Sequence, residues 1–598
     1  MINGVHPALI LILGAFVVPF LPGRIKQVYL LVLTAVAFVA ALGLSEGTYW
    51  VLSNGFLGHD LVFGRVDRLS LVFTYIFTLM GFIATLFGLH MKDDGEKMVG
   101  LIYGGCAVGV SLAGDMISLF IFLELMMLTA TYIVWSKKNR ASYLAGFRYF
   151  SVHALGGLCL LAGILLRVHE TGSIDFDFIG LSGLSSALIF IGFGVNCAFP
   201  VLHAWLPDAY PESTITGTIF LATFTTKSAV YLFARAFPGT ELLIYIGAAM
   251  TAFPIFIAVI ENNLRRVLCY SLINQVGFMI VAIGIGTELA LNGAVAHAFV
   301  HILYKGLLFM SMGAVIHQTG KINATELGGL YKSMPFTAIC CIIGAASISG
   351  FPLTSGFVTK SMIVSAAGQE GLVIIWFMLI FAAAGVFHHS GIKIPFFAFF
   401  SHDSGIRTTE PPLNMRIAMG IAAFLCIFIG VFPTMLYSIL PFPVDYVPYT
   451  TSHVVSQLQL LLFSALAFTL LLRSGIYPAE IRAINLDTDW FYRKGTRLFL
   501  WLLYNPCTRV GQWGSRVAFE CIPAVATRVS LNPLAILAIT ADRARLLFAS
   551  EEQKTLILAR IEKERRIYPG DTIKSWPIGS TVLWVSLFLL AYLLIYYL

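Results

Sequence analysis

Charge is scarce in this chain. Asp, Glu, Lys and Arg make up 12% of its 598 residues, against about 25% in an ordinary soluble protein. That is too little polar surface to cover soluble domains of this total length. A disordered chain is excluded too, since it needs high charge and few apolar residues. Paired cysteines are also lacking. The nine cysteines, at 106, 159, 197, 269, 340, 341, 426, 507 and 521, contain no C-x-x-C spacing, and most lie inside apolar runs. They read as small apolar residues in a reducing or lipid setting, not as a disulfide or zinc framework. The first residues lack a basic stretch and a small-residue cleavage site, so they read as a retained first span. What is abundant is apolar: 58% hydrophobic residues and a mean hydropathy of +0.85. The class that remains is a membrane protein that crosses many times. Its formal net charge of +7 suits loops facing anionic lipid and gives no support for nucleic-acid binding.

A span needs about 20 mostly apolar residues. Candidates lie near 5–22, 26–44, 69–90, 98–114, 116–136, 143–167, 184–204, 214–236, 242–260, 267–286, 293–316, 336–365, 371–400, 415–439 and 453–473, and one more closes the chain at 578–598. Arg24 and Lys26 follow the first span, and Lys92 and Lys97 the third. Lys137, Lys138 and Arg140 follow the fifth, Arg265 and Arg266 the ninth, and Lys321 and Lys332 the eleventh. Loops after the sixth, eighth and tenth spans are nearly free of Lys and Arg. The basic loops are expected in the cytoplasm, which puts the N-terminus outside. Residues 475–570 are richer in charge. Within them Leu534, Leu537, Ala541, Ala544 and Phe548 recur at steps of three and four, and a charged helix-favouring run continues from Glu551 to Arg566. This predicts an amphipathic helix that packs on its own protein, on a partner or on the bilayer surface.

An ionisable side chain at bilayer depth is costly unless it faces protein or water, so each is a functional candidate. Glu124 lies in DMISLFIFLELMMLTATYIVW, far from either end of its span. A carboxylate there either works in transport or is neutralised by a hydrogen bond between helices. Lys227 lies in GTIFLATFTTKSAVYLFARAF, eight residues from Arg235; it is a relay amine or a lysine that snorkels to an interface. His297, His301 and Lys305 lie in HAFVHILYKGLLF. Their i, i+4, i+8 spacing puts them on one helix face over about 12 Å. Imidazoles can accept a proton on one nitrogen and donate from the other, so waters between the three would complete a proton wire. A metal site is disfavoured, because H-E-x-x-H and a nearby carboxylate are both missing. Lys360 follows Gly350, Pro352, Ser355 and Gly356 in SISGFPLTSGFVTKSMI. A broken helix beside a buried charge is how transporters build ion sites. Lys393, between Gly391 and Pro395, is either one more relay group or an anchor at the end of a span. A second interrupted segment is visible at NCAFPVLHAWLPDAYPEST, and two interruptions in corresponding positions suggest an inverted repeat.

Taken together, the strings FLELMML, HAWLPDAYPESTITG, TTKSAVYLFAR, NNLRRVLCYSLINQVGFM, HAFVHILYKGLLFMSMGAV and SGFPLTSGFVTK resemble the antiporter-like family. That family holds the large subunits of Mrp-type sodium/proton antiporters and the proton-pumping membrane subunits of respiratory complex I and related hydrogenases. The resemblance covers roughly residues 60–440, and DAYPE, LRRVLCYS and LYKGLLFM look most like the D-type large subunit of Mrp antiporters. It implies an all-α polytopic fold with about 14 core helices in two inverted five-helix repeats, each with an interrupted helix. It also implies a row of buried charges across mid-membrane. Glu124, Lys227, the His301/Lys305 pair and Lys360 match the family's glutamate, its two lysines on interrupted elements and its central pair. At Asn196 the chain departs from the family, which usually carries a lysine there, paired with the glutamate. The resemblance leaves Lys227, Arg148 or His153 as replacement partners for Glu124, or else an impaired first half-channel.

The expected organisation is N-terminal helices at 1–114, a first repeat at 115–260, a second at 261–400, core helices at 401–474, a charged tail at 475–577 and the terminal span. The expected function is the proton path of a multisubunit monovalent cation/proton antiporter in the cell (inner) membrane, beside other membrane subunits. The alternative is a pumping or structural subunit of a complex I-like dehydrogenase or membrane hydrogenase. No flavin, nucleotide or iron–sulfur motif is present, so no cofactor and no catalytic centre are expected in this chain. Sodium wants several oxygen ligands, and the buried set is mostly nitrogen, so sodium is expected to be handled elsewhere in the complex.

Overall fold

Apolar runs of this length can satisfy their backbone in lipid only as helices or closed barrels, and here they are helices. The computed structural model describes residues 5–56, 58–475, 481, 485–570 and 578–597. Residues 476–480, 482–484 and 571–577 of the expected tail, and Leu598 of the last span, lie outside them. The chain divides into one unit ending at Asp489 and another beginning at Trp490.

The first unit opens with α1 (Pro7–Ala15) and α2 (Gly23–Leu42), then the antiparallel hairpin β1 (Gly47–Phe56) and β2 (His59–Val66). Next come α3 (Arg68–Phe87), α4 (Asp94–Leu112), α5 (Met116–Trp135), α6 (Arg140–Thr171), α7 (Gly183–Asn196) and the short α8 (Trp205–Ala209). α9 (Ile215–Thr223) and α10 (Thr225–Ala236) are two parts of one run. α11 (Glu241–Ile260), α12 (Leu264–Ile285) and α13 (Glu288–Thr319) follow, then α14 (Pro335–Ser349) and α15 (Ser355–Gln369), then α16 (Val373–Val386), which continues through π-helical turns around α17 (Lys393–Pro395). The unit closes with α18 (Leu413–Val431), α19 (Pro433–Tyr437) and α20 (Thr451–Arg473). Each apolar run of the sequence coincides with a helix or an interrupted pair. Among the described residues, 11 helices are long and apolar enough to cross a membrane on their own, and up to 12 if a bent pair in the tail counts as one span.

An internal repeat is visible in the caps. Asp115 opens α5 by accepting from the Ile117 and Ser118 N–H groups, and Asn263 opens α12 by accepting from Arg265 and Arg266. α6 and α13 are both 32 residues long and both end in a left-handed glycine, Gly172 and Gly320. One isolated bridge joins Asp115 to Asp175, another Asn263 to Asn323. Within each pair the second position follows the first by 148 residues. Beyond α7 and α14 the interrupted segments also correspond. Positive φ at Ala198 and Val201 recurs at Gly350 and Leu353, around Phe199–Pro200 in one copy and Phe351–Pro352 in the other. Five crossings separate the starts of α5 and α12, so the second copy runs in the opposite sense.

The core lies in α12 and α13, each with 94% of its central window buried. The β hairpin was not foreseen. It is tied to the α4–α5 turn by the Gly114 N–H on Val62 O (2.8 Å) and the Val62 N–H on Asp115 Oδ2 (2.7 Å).

The second unit contains most of α21 (Asp489–Arg516), then α22 (Ile522–Leu531), α23 (Pro533–Arg545), α24 (Glu551–Ile567) and α25 (Ile578–Tyr597). The single amphipathic helix expected over 534–566 is two helices. Ser550 forms a capping box with Gln553 that starts α24 afresh, and α24 folds back so that buried Asp542 meets both Arg545 (3.1 Å) and Arg560 (3.4 Å).

Candidate proton-translocation site

α13 carries the three residues predicted to share a face, and His297, His301 and Lys305 are all wholly buried. Their surroundings differ. His297 is locked: Nδ1 lies 3.0 Å from Thr359 Oγ1, and Nε2 lies 3.2 Å from Gln275 Oε1 and 3.3 Å from the Tyr304 hydroxyl. Neither ring nitrogen of His301 and no proton of the Lys305 ammonium has a hydrogen-bond partner among the described residues. Leaving such groups unsatisfied costs about 1–3 kcal/mol each, so these are positions where water is strongly favoured. His301 is within electrostatic range of Lys227, Lys305, His297 and Lys360. It is the residue that the two lysines flanking the centre have in common.

Those two lysines are built alike. The α9–α10 run bends at Phe224, and the kink leaves the Ala222 carbonyl to accept from Lys227 Nζ at 2.5 Å. α14 ends at Gly350, and Lys360 on α15 reaches back to the Ile348 carbonyl at 2.7 Å. In both cases the carbonyl end of one helix segment, which carries partial negative charge, holds the ammonium. Gly356 lets α15 start there, since a Cβ on it would collide with Ser347 O. Beside Lys360 opens a cavity of about 650 Å³, lined by Ser361, Ser365, Thr450, His453 and Gln457 among others. A second cavity, of about 590 Å³, lies at the opposite ends of the helices, where Glu96, Lys137, Glu212, Thr216 and Arg265 line it.

The remaining predicted residues are not drawn into this row. Glu124 is half-buried on α5, with its carboxylate against Gly157 of α6, where a Cβ would collide with it. It has no hydrogen bond or ion pair among the described residues. Of its three possible partners, Arg148 is committed to Asp208 through two bonds of 2.6 and 2.9 Å. His153 stacks on Tyr149, with Nδ1 3.2 Å from Asn196 Oδ1, and Lys227 is held by Ala222. The Asn196 amide also donates to Gly192 O at 3.2 Å. At the 148-residue spacing, His153 stands where the second copy has His301, and Gly157 where it has Lys305. Lys393 is wholly buried, and its ammonium caps the end of α11 through Ala258 O, Val259 O and Glu261 O at 3.3, 2.6 and 2.7 Å. That geometry suits the anchor role.

Residues 113–387 match the family model described as NADH:quinone oxidoreductase/Mrp antiporter, transmembrane. This stretch belongs to the antiporter transmembrane family. The chain is 28% identical over 332 residues to hydrogenase-4 component B of Escherichia coli, covering 50% of this chain and 49% of that protein. It is also 28% identical over 490 residues to a large Na(+)/H(+) antiporter subunit of Alkalihalophilus pseudofirmus, covering 71% and 60%. The chain spans about half the length of the curated relatives it matches. Among solved structures, a chain of the membrane-bound sulfane sulfur reductase, an archaeal respiratory membrane complex, aligns with a TM-score of 0.68 at 23% identity. It covers 90% of this chain and 99% of that one, so the shared fold reaches into the tail.

Three parts of the antiporter-type domain escaped the sequence reading. Arg265 was counted as a loop charge, yet it is buried and donates to the carbonyls of Tyr210, Pro211, Ser213 and Thr214 at 3.0–3.3 Å. The irregular DAYPEST loop has carbonyls without helical partners, and a five-donor guanidinium satisfies several at once. His389 is buried within electrostatic range of Lys305, Lys360 and Lys393, and only its adjacency to His388 hinted at it. Lastly, Asp487 at the root of the tail accepts from His203 (3.1 Å) in the first interrupted segment and from the Tyr270 hydroxyl (2.8 Å), while Asn485 donates to Glu261 (3.1 Å). Burial alone would push the Asp487 carboxyl up, but the His203 bond and charge, with the Tyr270 hydroxyl and the Thr488 N–H, hold it at about 2.

Proposed function

We propose that this chain is the proton-path subunit of a multisubunit monovalent cation/proton antiporter, set in the cell membrane with its N-terminus outside. The observation that carries the reading is the buried His301/Lys305 pair, open to water and flanked by two lysines that each sit on a helix break. Protons enter from the Lys/Arg-lined cavity on the cytoplasmic side and pass from Lys227 through His301 and Lys305 to Lys360. They leave by the 650 Å³ cavity on the other face. Occupancy of one site repels occupancy of the next. Two like charges about 5–6 Å apart at an effective dielectric near 20 interact by about 3 kcal/mol, roughly a hundredfold in proton affinity. Glu124, without a cation beside it, contributes little to this row, and the first copy serves mainly as the frame for Lys227.

The same machinery fits a second reading, a membrane subunit of a hydrogenase or respiratory complex. Likeness to hydrogenase-4 component B, and the fold shared with the sulfane sulfur reductase chain through the tail, favour it. Purification of the complex that holds this chain separates the two. Antiporter subunits alone support the first reading, and redox subunits with iron–sulfur centres support the second. Proton flux abolished by Lys227→Ala is expected under both.

A further inference from the structure

Glu96 lies at the start of α4, 6% exposed, where the cytoplasmic cavity meets a smaller one. Its Oε1 accepts from the Thr214 hydroxyl, and its carboxylate faces the Gly217 N–H. It therefore sits on the first turn of α9, the segment whose last carbonyls hold Lys227. Nine residues of helix separate the two groups, about 13 Å. Below Glu96 the smaller cavity, about 20 Å³ in volume, runs between Thr85, Thr216, Gly100 and Phe220. Thr85 is 7% and Thr216 3% exposed, and neither hydroxyl has a partner among the described residues. About 10–15 Å³ suffices for one water when polar groups are present to hold it. α4 then follows the bent run inward. Gly100 packs on Phe220 and Gly104 on Phe224. The Tyr103 hydroxyl bonds Thr225 Oγ1 at 2.5 Å and accepts from the Thr225 N–H at 3.3 Å, two residues before Lys227.

We propose that Glu96 is the proton-loading site of the chain, taking protons from the cytoplasmic cavity and handing them to a single water held by Thr85 and Thr216 on the way to Lys227. This rests on the proton-path reading. A hydronium in the open cavity gives its proton to Glu96 Oε2 and leaves as water. Glu96 then gives the proton to the buried water and returns to carboxylate, with Thr214 bonded to Oε1 throughout. The Phe220 ring, between that water and the Tyr103–Thr225 pair, is the dry step that keeps the uptake path from being a continuous leak.

The test is proton flux in liposomes holding the purified complex, with Glu96→Gln, Glu96→Asp, a double Thr85→Val/Thr216→Val variant and Lys227→Ala. Glu96→Gln keeps an oxygen for the Thr214 hydroxyl but carries no proton, so a loss of about tenfold is expected at normal assembly. Glu96→Asp should restore most of the flux, and the valine pair should slow it several-fold. Wild-type flux in Glu96→Gln, or in the valine pair should Glu96→Gln fail to assemble, while Lys227→Ala is dead, overturns the loading site and leaves the proton path standing. Wild-type flux in Lys227→Ala overturns the path itself and the loading site with it.

Discussion

At the scale of single residues, burial and pairing decide which charges work and which hold the fold. Asp487 belongs to the second kind. Its carboxyl is held at about 2 against an ordinary 3.8, so it favours the folded form above pH 4. That contribution, about 2 kcal/mol, fades as pH falls from 4 through 2. Asp487→Asn should mimic the acid state at neutral pH, and hydrogen exchange at 485–489 should then rise about tenfold or more. Unchanged protection would mean that His203 and Tyr270 do not anchor the tail. Glu124, Lys227, Lys305 and Lys360 were legible in the sequence because a charge inside a long apolar run has no innocent explanation. Arg265, Glu96 and Asp487 were not, because they lie at the ends of runs, where charge is common. Only the fold tells a solvated end from a buried one.

Among the elements, the sites depend on two interruptions, and glycine makes one of them possible. Gly356→Ala would push α15 off Ser347 O. Overpacking of this sort costs about 1–3 kcal/mol, and here it also moves Lys360 off Ile348 O. A lower thermal midpoint together with reduced flux is expected; a variant with wild-type values of both would show that the close approach of α14 and α15 is dispensable. The apolar runs were readable as helices because lipid leaves the backbone few alternatives. The β hairpin at Gly47–Val66 was hidden, since one short amphipathic pair outside the spans has no periodic signal to set against sixteen helical ones. The Phe199–Pro200 and Phe351–Pro352 breaks were visible as composition. The matching caps at Asp115 and Asn263 needed coordinates, because one is an acid and the other an amide doing the same job.

For the molecule as a whole, the two units have different demands. The first buries α12 and α13 almost completely by itself, whereas α25 in the second has no buried residue. Deletion of 490–598 is therefore expected to leave a folded first unit, checked by its thermal midpoint in detergent, and to cost the complex its neighbouring membrane subunits on co-purification. Retention of all partners would deny the tail any role in assembly. Orientation is equally open to test. A cysteine replacing Lys138 should react with an impermeant reagent from the cytoplasmic side only, and one replacing Gly239 from the outside only; the reverse pattern would invert the assignment. The central claim, that protons cross by way of the buried amines, is tested most directly by proton flux through the purified complex in liposomes with Lys305→Ala. Loss of flux in a complex assembled with all its subunits is the predicted result. Flux at the wild-type rate with Lys305 replaced would contradict the account.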